Sequence, residues 1–280
     1  MKKTFLGKKC FFEEFLPGEP EKSTWGFLIE RKIYSGKSKF QKIEIFKNAE
    51  FGRILVLDGE VQLSTKHEFI YHEMLVHPAM LYYHEKPERV LIIGGGDGGA
   101  LREVIKHPAK EIFLVDIDKK VIQISQKYLP SVSNGAFKDK RVKIFFDDAF
   151  KFLDKYYEFF DIIIDDLTDP SGPSLPLWER IFYKKILKAL KKNGIASIQA
   201  GYFKEKLSIN LREKMKNTFK NYVLHKAFVD CFPFDEHVFF VGAKNFNLDK
   251  ITLMKIERRF KKLKIKTKYY NPQIHFCSKI

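Results

Sequence analysis

The sequence predicts an α/β protein in which a small N-terminal antiparallel β domain precedes a doubly wound parallel sheet. From about residue 90 onward, short apolar runs alternate with helix-like segments, which is typical of a parallel sheet with helices on both faces. A cluster of glycines separates the first of these runs from the first helix-like segment. Before residue 65 the chain instead shows short alternating runs and an Asp-Gly dipeptide, which indicate antiparallel hairpins.

The composition indicates a folded protein of one large and one smaller domain. The chain has 280 residues, 45% of them hydrophobic, and a net charge of +16. That charge makes nucleic acid or a membrane surface a legitimate candidate partner, but the basic residues are spread along the whole chain, which favours a solvated basic surface without either partner. No run approaches the roughly 20 apolar residues of a membrane span. Three scattered cysteines fit no disulfide framework, and we expect a cytoplasmic protein.

The N-terminal half of the chain divides at two points. Alternating runs predict strands over 25–30, 41–46 and 53–57, after which Asp58-Gly59 closes a hairpin. Apolar residues then recur every three or four positions, which predicts a helix over 66–83. We therefore expect a β domain over residues 1–65, an α/β domain over 66–245 that includes the linking helix 66–84, and a basic tail over 246–280. Ile256, Phe260 and Leu263 of the tail suit one amphipathic helix packed on the body.

The α/β domain is expected to alternate strands and helices to its end. The predicted strands cover 90–93, 112–115, 142–146, 161–164 and 195–200. The predicted helices cover about 119–128, 149–157, 178–191 and 204–220. Two later apolar runs, 227–229 and 238–241, predict a closing antiparallel hairpin.

The glycine cluster has the spacing of a nucleotide-binding loop. Gly94, Gly96 and Gly99 fit G-x-G-x-x-G, in which glycines allow a tight turn, let the backbone approach a ligand and let a helix pack on a strand. Asp116 ends the next strand, near the distance of about 20 residues at which an acidic residue meets a ribose. These two features together predict a nucleoside-binding site, although a glycine-rich turn that binds no ligand would show the same loop pattern.

Carboxylates end or follow each of the first four predicted strands, namely Asp97, Asp116, Asp148 and Asp166. Any one of them could cap a helix. Because parallel strands end at one rim, all four should meet there, and their mutual repulsion would cost several kcal/mol without a cation. A divalent metal is one candidate, but no histidine-containing ligand cluster supports it, and we expect none. A polyamine, or a sulfonium nucleoside with a free amine, suits the pattern better.

Several motifs together resemble one family. The run Gly94–Gly99 with Arg102-Glu103-Val104, the earlier Tyr71-His72-Glu73-Met74, and the segment from Asp166 to Pro173 are similar to the spermidine synthase family of polyamine aminopropyltransferases. The likeness covers roughly residues 24–243. It implies a Rossmann-like, methyltransferase-like sheet of seven strands and a homodimer or homotetramer. It also implies transfer of the 3-aminopropyl group of the co-substrate decarboxylated S-adenosylmethionine to a polyamine, with release of methylthioadenosine and no prosthetic group.

The resemblance assigns roles on the donor side of the site. Gln41 would contact the nucleoside, Asp116 would hold the ribose hydroxyls, and Asp148 with Ala149 would read the adenine amino group. Asp97 would bind the donor's ammonium. A carboxylate at that position would also repel the carboxylate that ordinary S-adenosylmethionine carries.

The resemblance also assigns the acceptor side and the chemistry. Asp166 would be the general base that accepts a proton from the attacking amine. His72 and Asp169, together with Tyr71, would bind the acceptor amine, and Pro173 would border the methylthioadenosine.

Three alternatives stay open at this level. The segment 231–236 carries no tyrosine that could close the acceptor pocket, so putrescine, spermidine, agmatine and longer amines are all candidates. An S-adenosylmethionine-dependent methyltransferase is the main candidate of another class, and the repulsion by Asp97 argues against it. A non-catalytic nucleic-acid-binding module is disfavoured because phosphate would face an acidic rim.

Overall fold

The computed structural model describes residues 3–5, 7–13, 25–170, 172–232 and 235–280. Two antiparallel sheets form its N-terminal part. The first contains β1 (Lys3–Phe5), β2 (Lys8–Phe12) and β3 (Gly26–Leu28). The second contains β4 (Arg31–Lys37), β5 (Lys42–Asn48), β6 (Gly52–Leu57) and β7 (Glu60–Ser64). Asp58 and Gly59 join β6 to β7 with φ angles of 48° and 96°, the positive values that a tight hairpin turn requires, so this predicted turn is confirmed.

A seven-stranded sheet forms the rest of the core, as predicted. Its strands are β8 (Arg89–Gly94), β9 (Glu111–Val115), β10 (Val142–Phe145), β11 (Phe160–Asp166), β12 (Leu190–Tyr202), β13 (Asn221–Ala227) and β14 (His237–Ala243). They lie in the order β10-β9-β8-β11-β12-β14-β13. β14 runs antiparallel to both of its neighbours, while the pairs from β10 to β12 are parallel. The carboxyl ends of the parallel strands and the first residues of β14 therefore meet at one rim.

Helices connect and cover this sheet. They are α1 (Glu68–Tyr82), α2 (Gly99–Ile105), α3 (Lys119–Tyr128), α4 (Pro130–Ser133), α5 (Ala149–Asp154), α6 (Arg180–Ala189), α7 (Lys206–Lys216), α8 (Leu253–Leu263) and α9 (Pro272–Cys277). A 3₁₀ segment over Gly172–Trp178 precedes α6. α1 is almost entirely buried, its polar residues included, because it packs between the sheet, α2 and α8.

The predicted closing hairpin is wrong in its first strand. The structure pairs β13 with β14, so the strand lies at 221–227 and not at 227–229. β13 is an edge strand with one buried face, and on that face the buried His225 lies between Val223 and Ala227, so a polar residue interrupts the apolar pattern that predicts a strand. The predicted helix over 204–220 also ends early, at Lys216.

The C-terminal tail packs on the body, as predicted. Ile256 of α8 is fully buried, and the Arg259 guanidinium donates to the carbonyl oxygens of Leu81 and Tyr82 at the end of α1. The buried carboxylate of Glu73 accepts hydrogen bonds from the backbone N–H groups of residues 268–270. Within the described ranges, no helix is long and apolar enough to cross a membrane.

Candidate active site

A cavity of about 380 Å³ opens at the rim where the parallel strands end. Its walls come from the glycine loop, from the segments that follow β9, β10 and β11, from α1 and from the second N-terminal sheet. Most of the predicted site residues line it, namely Gln41, Tyr71, His72, Gly94, Gly96, Asp97, Asp116, Asp148, Ala149, Asp166 and Asp169. The structure therefore brings these predicted residues together at one place.

Glycines let the Asp166 backbone and two ionisable side chains approach the loop between β8 and α2 closely. Gly94 has a φ of 73°, and a side chain there would meet the backbone oxygen of Asp166. A β-carbon on Gly96 would lie 2.6 Å from the carboxylate of Asp116. A β-carbon on Gly99 would lie 2.3 Å from the ring of His72. The loop has glycines at these positions because the backbone of Asp166 and the side chains of Asp116 and His72 occupy the space that a β-carbon would need.

A buried ionic chain runs from α2 to the cavity through His72. The Nδ1 atom of His72 lies 2.7 Å from Glu68, and its Nε2 atom lies 3.3 Å from Asp97. Arg102 donates two hydrogen bonds, of 2.7 and 2.9 Å, to Glu68. Burial opposes the charge on His72, but the two carboxylates raise its pKa well above the ordinary value. His72 is therefore an imidazolium ion whose two N–H groups are both donated to carboxylates.

Asp97 has a fixed, ionised carboxylate that could bind a cation. Its Oδ1 atom accepts a hydrogen bond of 2.7 Å from the backbone N–H of Gly99, at the start of α2. Burial would raise the pKa of Asp97, but the charge and hydrogen bond of His72, and then the Gly99 hydrogen bond, lower it. Asp97 is therefore ionised at neutral pH.

Asp166, at the end of β11, has one occupied and one free carboxylate oxygen. Its Oδ1 atom accepts a hydrogen bond of 2.9 Å from the hydroxyl of Tyr71 on α1. Its Oδ2 atom is buried and has no hydrogen-bond partner among the described residues. Burial raises the pKa of Asp166 to about 7, against the lowering effect of the nearby His72 charge. A free carboxylate oxygen with a pKa near neutrality is suited to accept a proton.

The side of the cavity near β9 and β10 carries the residues predicted for a nucleoside. Asp116 follows β9, and burial raises its pKa to about 7. The amide of Gln41 donates to Asp118, the N-cap residue of α3, at 3.1 Å, which ties the N-terminal sheet to the rim. Asp148 is the N-cap residue of α5, since its carboxylate accepts a hydrogen bond from the backbone N–H of Phe150. Asp148 therefore has the helix-capping role that was an alternative for each of the four aspartates.

The opposite side of the cavity lies under β12 and β14. Burial raises the pKa of Asp169 to about 6, and the Gln199 amide donates to this carboxylate at 3.4 Å. Gln199 also accepts a hydrogen bond from His237 at 3.1 Å. Ser174, in the 3₁₀ segment, donates to the backbone oxygen of Asp169 and so fixes the loop. The side chain of Pro173 lies outside the described part of the chain.

Three of these side chains could also be considered as metal ligands. Single ligand atoms of His72, Asp97 and Asp166 all lie within 4.8 Å of one another. However, both nitrogens of His72 already carry protons that are donated to carboxylates, and a metal would have to displace one of them. The donor set therefore fits an ammonium or sulfonium ion better than a metal.

Comparisons with known proteins agree with this arrangement. A family model described as the spermine/spermidine synthase domain matches residues 68–255, and one described as the spermidine synthase tetramerisation domain matches residues 12–65. A polyamine aminopropyltransferase of Bacillus subtilis is 40% identical over 262 residues, which cover 91% of this chain and 92% of the relative. One of Hydrogenobaculum sp. is 39% identical over 271 residues, which cover 96% and 92%.

The chain belongs to the spermine/spermidine synthase family. Its fold agrees with two solved spermidine synthases, each 31% identical, which it matches over 99% of this chain and 92% of theirs. One, from Thermotoga maritima, has a TM-score of 0.87. The other, in complex with the transition-state analogue AdoDATO, has a TM-score of 0.89.

Several residues of this spermidine synthase-like cavity were not predicted from the sequence. They are Glu60, Gln199, Tyr202, Phe232 and His237 in its lining, and Glu68 and Arg102 behind His72. Gln199 could have been found, because it lies near the end of the fifth parallel strand, and the reasoning about strand ends stopped at the fourth. His237 gave no such signal, since it reaches the rim only because β14 is antiparallel.

Proposed function

We propose that this protein is a polyamine aminopropyltransferase. It transfers the 3-aminopropyl group of decarboxylated S-adenosylmethionine to an amine acceptor and releases methylthioadenosine. The unpaired carboxylate oxygen of Asp166 is the observation that carries this proposal, because Asp166 lines the same cavity as Asp116 on the nucleoside side and Asp169 on the acidic, aromatic side. The family relatives named above support it.

The donor binds along the glycine loop. Asp116 accepts hydrogen bonds from the ribose hydroxyls, and Asp148 with Ala149 and Gln41 surrounds the adenosine. Asp97 binds the ammonium of the aminopropyl group. The negative charge of Asp97 disfavours ordinary S-adenosylmethionine, whose extra carboxylate would lie in the same place.

The reaction is a displacement at the carbon next to the sulfonium. The nitrogen lone pair of the acceptor forms the new C–N bond while the C–S bond breaks, and its electrons neutralise the sulfur. A free amine has a pKa near ~10 and is almost fully protonated at neutral pH. Asp166 Oδ2 takes the proton from this nitrogen, and Tyr71 holds the carboxylate in place.

His72 acts in this scheme through the carboxylates. Both of its nitrogens are engaged with Glu68 and Asp97, so the ring has no free lone pair with which to bind an ammonium. Its positive charge fixes Asp97 and favours the unprotonated form of an amine bound beside it. Asp169 binds the far end of the acceptor.

Putrescine, giving spermidine, is the acceptor we propose first, and spermidine or agmatine is the alternative on the same site. The match of residues 12–65 to a tetramerisation domain supports a homo-oligomer. A methyltransferase is the candidate of another class, and the ionised Asp97 in the donor site argues against it.

The test is a product assay by mass spectrometry. Purified protein receives decarboxylated S-adenosylmethionine with an equimolar mixture of putrescine, spermidine, agmatine and cadaverine, or ordinary S-adenosylmethionine with the same amines. We expect one acceptor to gain an aminopropyl group and Asp166→Asn to lose roughly a hundredfold or more in rate. Asp147→Asn is the matched control, since Asp147 also follows a parallel strand, β10, but lies outside the cavity lining and pairs with Lys155. Methyl transfer from the ordinary donor would overturn the proposal.

A further inference from the structure

His237 is a buried polar residue in the cavity wall that the reaction scheme above does not use. It is the first residue of β14, and only 5% of its surface is exposed. Its ring lines the cavity, and its Nδ1 atom has no hydrogen-bond partner among the described residues. Such a nitrogen costs free energy unless a ligand or a water satisfies it.

The hydrogen bonds around Gln199 fix the tautomer of His237. The amide nitrogen of Gln199 donates to the backbone oxygen of Leu167 at 3.1 Å and to Asp169 at 3.4 Å. Its amide oxygen therefore accepts, and it does so from the backbone N–H of Gly201 and from Nε2 of His237, both at 3.1 Å. His237 consequently carries its proton on Nε2 and a lone pair on Nδ1.

The ring is also neutral at physiological pH. Burial, and then the charge of Arg212, lowers the pKa of His237 to about 3. The unpartnered Nδ1 atom is thus a hydrogen-bond acceptor and not a donor. An ammonium group would satisfy it, whereas a second carbonyl or carboxylate would not.

Aromatic rings surround this acceptor. The centroids of Tyr71, Phe232 and Tyr202 lie 5.2, 5.7 and 5.7 Å from that of His237. Aromatic faces attract an ammonium and cover a hydrocarbon chain. Tyr71 also connects the two ends of this region, because its hydroxyl donates to Asp166 while its ring packs on His237.

We propose that His237 is a specificity-determining residue that binds the distal primary ammonium of the acceptor amine. This inference rests on the proposed function. The attacking nitrogen lies at Asp166, the methylene chain follows the ring of Tyr71, and the distal ammonium donates to Nδ1 of His237 and to the carboxylate of Asp169. Gln199 holds both of these groups in place. The three N–H donors of a primary ammonium suit two acceptors and an aromatic face.

The experiment compares two acceptors that differ only in the distal ammonium. Steady-state rates are measured with saturating decarboxylated S-adenosylmethionine and either 1,4-diaminobutane or n-butylamine. His237→Phe keeps an aromatic ring and removes the acceptor nitrogen, and His237→Asn restores an acceptor near the position of Nδ1. His225→Phe is the matched control, since His225 is a buried neutral histidine on the neighbouring strand β13, outside the cavity lining.

We expect His237→Phe to raise the KM for the diamine roughly ten- to hundredfold, the usual effect of losing a hydrogen bond to a charged group. The same variant should leave kcat/KM for n-butylamine and the affinity for methylthioadenosine unchanged. His237→Asn should recover part of the diamine affinity, and His225→Phe should not discriminate between the two amines. If His237 had only a structural role, the loss would affect both amines. A loss confined to the diamine, and recovered only by a side chain that accepts a hydrogen bond, therefore indicates direct binding of the distal ammonium.

Equal losses for the diamine and the monoamine, or no loss for either, would overturn the assignment of His237 while leaving the aminopropyl transfer intact. Failure of the wild-type protein to transfer an aminopropyl group to any amine would overturn the proposed function, and the inference with it. The two failures are therefore distinguishable in one data set.

Discussion

The hydrogen bond from Tyr71 to Asp166 is expected to set the pH at which the proposed base works. Tyr71→Phe removes the hydroxyl that lies 2.9 Å from Oδ1 of Asp166 and keeps the ring that packs on His237 and Phe239. A hydrogen bond to a charged group contributes about 1.5–3 kcal/mol. Since one pH unit corresponds to about 1.4 kcal/mol, we expect the pKa of Asp166 to rise by about one to two pH units from its value of about 7.

The sign of the effect follows from the role of Asp166 as a base, which must be unprotonated to act. The wild type should lose kcat/KM for decarboxylated S-adenosylmethionine, which reports the enzyme before the donor binds, as the pH falls through about 7, and the variant should lose it at a higher pH. Both enzymes use the same amine, so the ratio of their kcat/KM values cancels the titration of the substrate. That ratio should be roughly ten- to hundredfold below pH 6 and should shrink toward a constant above about pH 9.

Tyr83→Phe is the matched control for this measurement. Tyr83 directly follows α1 and donates to Asp161, near the start of β11, at 2.7 Å. The pair therefore joins the same two elements as Tyr71 and Asp166, at their other ends. Its loss should leave the pH dependence unchanged. A Tyr71→Phe to wild-type ratio that is the same at every pH would refute the reasoning, because it would show a loss of positioning and not of carboxylate ionisation.

Two further substitutions test the donor side. Asp97→Asn should reduce the preference for decarboxylated over ordinary S-adenosylmethionine at least tenfold, because it removes the charge that repels the extra carboxylate. Calorimetric titration with both ligands measures the ratio of the two affinities. An unchanged ratio would contradict this prediction. Gly99→Ala would place a carbon 2.3 Å from the His72 ring, so overpacking of about 1–3 kcal/mol should lower Tm by several degrees and transfer activity with it. Normal melting and activity in this variant would show that α2 can move away from His72.

The acidic rim could be predicted because each of its carboxylates lies next to a strand that is recognisable in the local sequence. A carboxylate that follows an apolar run must lie at the end of a strand, and parallel strands end together. This reasoning placed Asp97, Asp116, Asp148 and Asp166 around one cavity, where the structure has them. The tight hairpin at Asp58-Gly59 was predictable for a similar reason, since the dipeptide itself prefers the positive φ angles that the turn needs.

Other groups around these carboxylates could not be predicted, because tertiary packing alone brings them together. Glu68 reaches Arg102 only because α1 packs on α2. His237 reaches Gln199 only because β14 pairs with β12 in one register. The wrong first strand of the closing hairpin has a related cause. An edge strand buries only one face, so only every second residue needs to be apolar, whereas a central strand that is buried on both faces forms a continuous apolar run.

The charge balance of the cavity explains why the cationic side chain of His72 lies among its carboxylates. Asp97 is ionised because His72 stands beside it, whereas Asp116 and Asp166, which lack so close a cation, have pKa values of about 7. In the empty site the rim is therefore only partly ionised, which reduces the repulsion that four aspartates would otherwise cause. A bound sulfonium ion would lower the pKa of Asp166 further. At neutral pH a larger fraction of Asp166 is then unprotonated when the donor is in place than in the empty site, so the donor itself favours the form of the base that can accept a proton.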